Sequence, residues 1–333
     1  MVAFFKLLFT LRLVSYIMKI AVFYPSSSYK EYPLHSEDLF SLKRLFNIDN
    51  IPPKSTSKYA EFMDLISKDS NSVLIAWRGG IVENESTCRS SIELTNNLNE
   101  DDYGVIKNSH KSIVGLSDVS YLLCSLLNHN ISCFYGPNFY SGFYESTEKE
   151  RIVMYNYLEK ALQSKDFFVD LLSPDLNPNN NIPWTFSKGV CVGRVAGGNI
   201  DTILKMNFSA TGIKNGDIVF LEENDPLYNI ENINESTIYK AIVSIISNVT
   251  INGLIIGRSK TPKIYDPRKD LFFDEVKNSH ERHYLELVLK EFNLYKIPII
   301  ANVACGHIHP SFTLPLGKEM CLDTVNCKIF NKI

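Results

Sequence analysis

From Met18 onward, short apolar and β-branched runs alternate with longer amphipathic stretches, and this alternation constrains the fold more than any single motif. A run of four to six such residues suits a strand buried on both faces. An amphipathic stretch between two runs suits a crossover helix, so the pattern predicts an open α/β unit with a largely parallel sheet. Strands are expected at 19–24, 73–77, 111–115 and 131–135, with helices near 36–46, 56–67, 118–128 and 148–164. Between 172 and 188, Pro174, Pro178, Pro183 and an Asn run argue against regular structure. A second series follows, with strands at 189–195, 217–222, 252–257, 297–302 and 313–316 and helices at 236–247 and 278–292. The 333 residues exceed the roughly 100–200 usual for one domain. The organisation predicted is an extension at 1–17, an N-terminal α/β domain of flavodoxin or Rossmann kind at 18–171, a linker at 172–188 and a C-terminal domain at 189–333.

Composition excludes several classes of function. With 45% hydrophobic and 21% charged residues the chain is expected to be folded and soluble. A net charge of -3 without a basic stripe disfavours a nucleic-acid partner. The seven cysteines are scattered, with no Cys-x-x-Cys pair, and read as reduced thiols of a cytoplasmic protein. The apolar start, Phe4 to Phe9, is cut by Lys6 and lacks the small-residue cleavage site of a secretory signal, so neither export nor membrane anchoring is expected.

Chemistry is to be sought at strand ends, because open parallel sheets bind ligands beyond their carboxyl edge. Ser112-Ile-Val-Gly-Leu-Ser-Asp118 reads as strand and tight turn ahead of a helix, which lifts the hydroxyl of Ser117 clear of the sheet beside free amides. Ser117 or Asp118 could equally be the helix N-cap. A nucleophilic serine needs a base and a group that orients the base. One strand runs into Glu222 and Glu223, and another ends just before His307. Solvated strand ends explain each of these alone, and His307 with His309 could instead form a metal pair. Arg78-Gly79-Gly80 and Gly197-Gly198-Asn199 let backbone approach a substrate, but neither has the spacing of a nucleotide-binding loop.

Seven motifs occur in one order: Pro25-Ser-Ser27, Arg78-Gly-Gly80, Gly115-Leu-Ser-Asp118, Tyr135-Gly-Pro137, Gly197-Gly-Asn199, Phe220-Leu-Glu222, and Gly306-His307 followed by Leu314-Pro-Leu-Gly317. In that order the chain resembles the serine LD-carboxypeptidase family, which includes the microcin C self-immunity peptidases. The resemblance implies an α/β N-terminal domain, a mixed, sheet-rich C-terminal α/β domain, and a homodimer. It further implies a metal-free serine peptidase without cofactor, with nucleophile Ser117, base His307, carboxylate Glu222 and oxyanion donors in the amides of Gly80 and Asp118. Glu223 adjoins Glu222 where the family commonly has Asp, so the choice between the two carboxylates stays open. Arg78 and Asn199 are candidate substrate contacts, and Trp184 is either a stacking platform for a nucleobase or a core anchor of its loop. The expected substrate is a small peptide of the murein tetrapeptide type, with an aminoacyl or peptidyl nucleotide as the alternative. A catalytically inactive relative that binds such molecules is the rival of another class.

Overall fold

The computed structural model describes residues 19–26, 57–68, 72–80, 91–163, 167–178, 181–224, 233–260 and 270–332. The helix expected at 36–46, Ser27 of the first motif and the segment following Gly80 lie outside them. Where the sequence has unbroken apolar runs, strands form that are buried on both faces: β1 (Ile20–Phe23), β2 (Val73–Ala76) and, after one half-buried residue, β3 (Ser112–Gly115). These three and β4 (Cys133–Tyr135) make a parallel series, paired β1 to β2 to β3 to β4. Between them in sequence lie α1 (Lys58–Ser67), α2 (Ile92–Asn96), α3 (Glu100–Asn108) and the largely buried α4 (Ser120–Asn128). In α3 a capping box between Asn99 and Asp102 closes the first turn. The longer α5 (Glu148–Gln163) leads out of this region.

The second sheet has eight strands. Its centre is the parallel set β7 (Val190–Asn199), β8 (Ile218–Glu222), β9 (Gly253–Gly257) and β10 (Ile299–Val303). The helices α6 (Ile200–Lys205), α7 (Thr237–Ile246) and α8 (Asp270–Glu291) belong to this half of the chain. Antiparallel strands extend both edges: β5 (Phe168–Asp170), β13 (Lys328–Asn331) and β12 (Glu319–Asp323) beyond β7, and β6 (Trp184–Ser187) beyond β10. The fold is therefore mixed α/β, with a mostly parallel first sheet and a second, strand-rich sheet.

Three features differ from the reading of the sequence. The stretch at 172–188 is not all loop, since β6 pairs with β10 through Trp184↔Ala301 and Thr185↔Ile300. Pro183 sits just before β6, where a missing amide costs an edge strand nothing. Phe168–Asp170, grouped by sequence with the first half, joins the second sheet through β13. Finally β11 (Leu314–Leu316), expected in the second half, crosses to the first sheet and pairs antiparallel with β4, with Leu314 opposite Tyr135. Such short strands are specified by partners far away in sequence, which local periodicity does not record.

Among the described residues no helix is long and apolar enough to cross a membrane, and the six described cysteines are free thiols.

Candidate active site

Five parallel strands end on one region. Beyond β3 comes Ser117, β4 ends on Tyr135, β7 on Asn199 and β8 on Glu222, and His307 follows β10. Both sheets thus present their carboxyl edges to the site, the position that parallel topology assigns to ligands.

The serine turn is held open by its surroundings. Asn138 clamps Leu116 from both sides, accepting its N–H at 3.0 Å and donating to its carbonyl at 3.3 Å. Ser117 then adopts φ 69°, a left-handed conformation that side chains disfavour and that persists where neighbours over-determine it. A single 3-10 turn, Ser117–Val119, precedes α4. Leu116 and Val119 occupy the cap positions and neither makes a side-chain cap bond, so the N-cap reading of Ser117 and Asp118 does not hold. The Ser117 hydroxyl has no hydrogen-bond partner among the described residues. Gly79 makes room for this turn, because a Cβ there would stand 2.9 Å from Ser117 Cβ and 2.8 Å from Asp118 Oδ1.

Asp118 is a buried hub rather than only an amide donor. Its carboxylate accepts from Ser26 Oγ at 2.6 Å, Gly80 N–H at 2.6 Å and Ser91 N–H at 2.8 Å. Burial drives its pKa up, the three hydrogen bonds oppose this, and the balance is about 6. The Gly80 amide, assigned by sequence to an oxyanion, is directed at this carboxylate.

Glu222, fully buried at the end of β8, is the carboxylate that meets the histidine. Its Oε2 lies 2.8 Å from His307 Nδ1. Its Oε1 takes Asn199 Nδ2 at 3.2 Å and the Tyr135 hydroxyl. Register explains the first contact, since Asn199 and Glu222 are paired across β7 and β8. Burial works against charge on both partners, but their mutual attraction and hydrogen bonding prevail. The carboxyl is held below its ordinary range and the imidazole above its own. Glu223 instead turns Oε1 to the Asn224 amide at 2.8 Å, and burial pushes its pKa to about 7.

The remaining predicted residues are dispersed around this centre. Arg78 reaches over the Tyr140 ring, 5.5 Å from its centroid, with Glu145 at 3.9 Å. Trp184, on a strand rather than a mobile loop, lines a groove of about 400 Å³ with Asn278, Ser279, Arg282, His283 and Glu286. His309 Nδ1 faces Ser146 Oγ at 3.1 Å while His307 faces Glu222, so the two histidines turn to different partners. No cluster of three metal-ligating side chains forms among the described residues. Tyr135 belonged to a recognised motif but was not singled out as a site residue, and no pattern in the sequence links its hydroxyl to Glu222.

Residues 192–322, which carry Asn199, Glu222 and His307, match the model of the LD-carboxypeptidase C-terminal domain. Over 248 residues the chain is 25% identical to the microcin C7 self-immunity protein of Escherichia coli, spanning 68% of this chain and 67% of that protein. The second half of the chain thus carries an LD-carboxypeptidase C-terminal domain. The chain's fold is that of solved relatives. The wild-type apo microcin C7 self-immunity protein superposes with a TM-score of 0.70 at 19% identity, over 96% of this chain and 97% of that one. For a muramoyltetrapeptide carboxypeptidase from Oxalobacter formigenes the TM-score is 0.65 at 18% identity, over 95% and 99%. Structures of the self-immunity protein include complexes with glutamyl sulfamoyl guanosine and aspartyl sulfamoyl adenosine.

Proposed function

We propose that this chain is a peptidase of the LD-carboxypeptidase kind and hydrolyses an amide bond in a small peptide by a Ser117–His307–Glu222 triad. The observation that carries the reading is the buried Glu222–His307 pair, 2.8 Å apart, at the same edge as a serine held at positive φ. Because Nδ1 of His307 donates to Glu222, Nε2 is left to take the Ser117 proton as Oγ attacks the carbonyl. The imidazolium then returns the proton to the leaving nitrogen, and water, deprotonated by the same histidine, releases the acyl group from Ser117. The Ser117 hydroxyl and His307 are not hydrogen-bonded to one another in the free protein, a contact that active sites commonly tighten only with substrate bound. The Asp118 amide is the readier oxyanion donor. For Gly80 to join it, the Asp118 carboxylate must release that amide.

A second reading, hydrolysis of an aminoacyl or peptidyl nucleotide, draws support from Trp184. Trp184 sits on β6 opposite Ala301 of β10 and lines a groove with Arg282 and His283, where an aromatic ring can stack on a base. The self-immunity relatives that bind aminoacyl sulfamoyl nucleosides favour the same idea. A homodimer, the family's usual assembly, completes the proposal. The deciding experiment incubates the protein with a murein tetrapeptide and, separately, with an aspartyl sulfamoyl adenosine, and identifies products by mass spectrometry. Release of the terminal D-amino acid alone supports the peptidase, release of the nucleoside alone supports the second reading, and turnover of neither by protein that binds both would leave a binding relative.

A further inference from the structure

We propose that Tyr135 is a positioning residue whose single hydroxyl locks the nucleophile turn of the first sheet to the acid–base pair of the second. This inference rests on the triad reading above. The Ser117 amide donates to Tyr135 Oη at 3.2 Å, and Tyr135 Oη contacts Glu222 Oε1. Chemistry fixes the direction of both bonds. An amide N–H only donates, so the phenol oxygen must accept from Ser117. Ionised Glu222 only accepts, so the one phenolic proton must go to it. The result is a directed chain from the Ser117 backbone through Tyr135 to the carboxylate that orients His307.

The ring is built in so that the hydroxyl has nowhere else to go. Tyr135 is fully buried. In the first sheet it is paired with Gly115 of β3 on one side and Leu314 of β11 on the other. From the second sheet, Phe220 of β8 meets it edge-on, 5.0 Å between centroids. Burial, reinforced by the neighbouring Glu222 charge, keeps the phenol protonated well beyond its ordinary range, so the donor persists at any working pH. Two effects follow. Holding the Ser117 N–H supports the left-handed backbone that presents Oγ, and it removes that amide from the set able to bind an oxyanion. Supplying a hydrogen bond to Oε1 lets Glu222 stay charged without solvent, so Oε2 can hold the imidazole.

Tyr135→Phe removes the hydroxyl and keeps the ring. On the peptide substrate kcat is expected to fall about 10- to 100-fold with KM within about two-fold, the size typical of one hydrogen bond to a buried charge. The acid limb of the kcat profile is expected to move to higher pH, because a carboxylate short of one donor holds the imidazolium proton more tightly. A purely structural role would lower the folded fraction and leave the profile of the folded protein unmoved. As a shape-conserving second probe, 3-fluorotyrosine at 135 makes the phenol a stronger donor and is expected to shift the same limb to lower pH. Should Tyr135→Phe fail to fold, this probe alone decides. Wild-type kcat and an unshifted profile in the folded Phe variant, or an unshifted profile with the fluorinated residue, would overturn the inference. Ser117→Ala run beside them separates the two claims. Turnover surviving in that variant sinks the triad itself, whereas its loss with unaltered Tyr135 variants sinks only the role of the tyrosine.

Discussion

The two sheets bring different kinds of chemistry to one edge. The first offers backbone: a left-handed serine, a glycine cleared of side chain and amides gathered around Asp118. The second offers charge: a buried carboxylate, the histidine it holds and an asparagine in register with it. Reactivity on the first side depends on shape and on the second upon electrostatics, so the two sides should fail differently when altered.

The largest effect expected is from Ser117→Ala, which removes the proposed nucleophile and should lower kcat at least about 10³-fold. Thermal unfolding near that of the wild type would show that only chemistry was lost. Next come two glycines, one on each side. Gly306→Ala places a Cβ 2.6 Å from Glu222 Oε2 at φ +130°, and Gly79→Ala places one 2.9 Å from Ser117 Cβ. Each should lower kcat by roughly 10²-fold, as misplacement of catalytic groups does. Only Gly306→Ala should also move the acid limb of the pH profile, because only it disturbs the His307–Glu222 pair. Identical pH behaviour of the two variants would erase the distinction between the sheets.

The wild-type pH dependence tests the second side alone. In the proposed mechanism His307 must be neutral to act as base, and its pKa is raised by Glu222, so kcat should climb with pH through a midpoint above the ordinary histidine value of 6.5. Glu222→Gln should bring that midpoint down as well as reducing the rate. A midpoint at or below 6.5 in the wild type would contradict the charged pair.

The smallest effect is on stability and concerns the first side. Asp118 is raised from 3.8 to about 6, so the folded state binds its proton more tightly than the unfolded chain does. The sign follows from linkage: this contribution is present below pH 3.8 and is lost as pH rises through about 6. The wild type should therefore gain on the order of 2 kcal/mol relative to Asp118→Asn between pH 7 and pH 4. Urea unfolding of both proteins at the two pH values measures the difference, and parallel shifts would refute it.

Much of this was legible beforehand for a physical reason. Ser117, Glu222 and His307 each follow an apolar run, and in a parallel sheet such positions converge whatever the connections between them. The parallel strands were readable for the same reason, because burial on both faces leaves long apolar runs. What stayed hidden depends on contacts between distant segments. Tyr135 meets Glu222 across 87 positions of sequence, and Ser26 reaches Asp118 across 92. Neither contact leaves a local period or spacing. The short strands β5, β6, β12 and β13 escaped notice for a related reason, since pairing rather than propensity defines them.

The crossing of β11 into the first sheet sets an order on synthesis. β4 has its β3 neighbour early, but its outer edge finds no partner until residues 314–316 have been made. His307 is by then the start of a tether running from the second sheet back to the strand that carries Tyr135. A nascent chain on the ribosome can hold the serine turn long before it holds the Glu222–His307 pair. The first sheet is therefore completed late in translation, by a strand that follows most of the second half, with only β12 and β13 still to come.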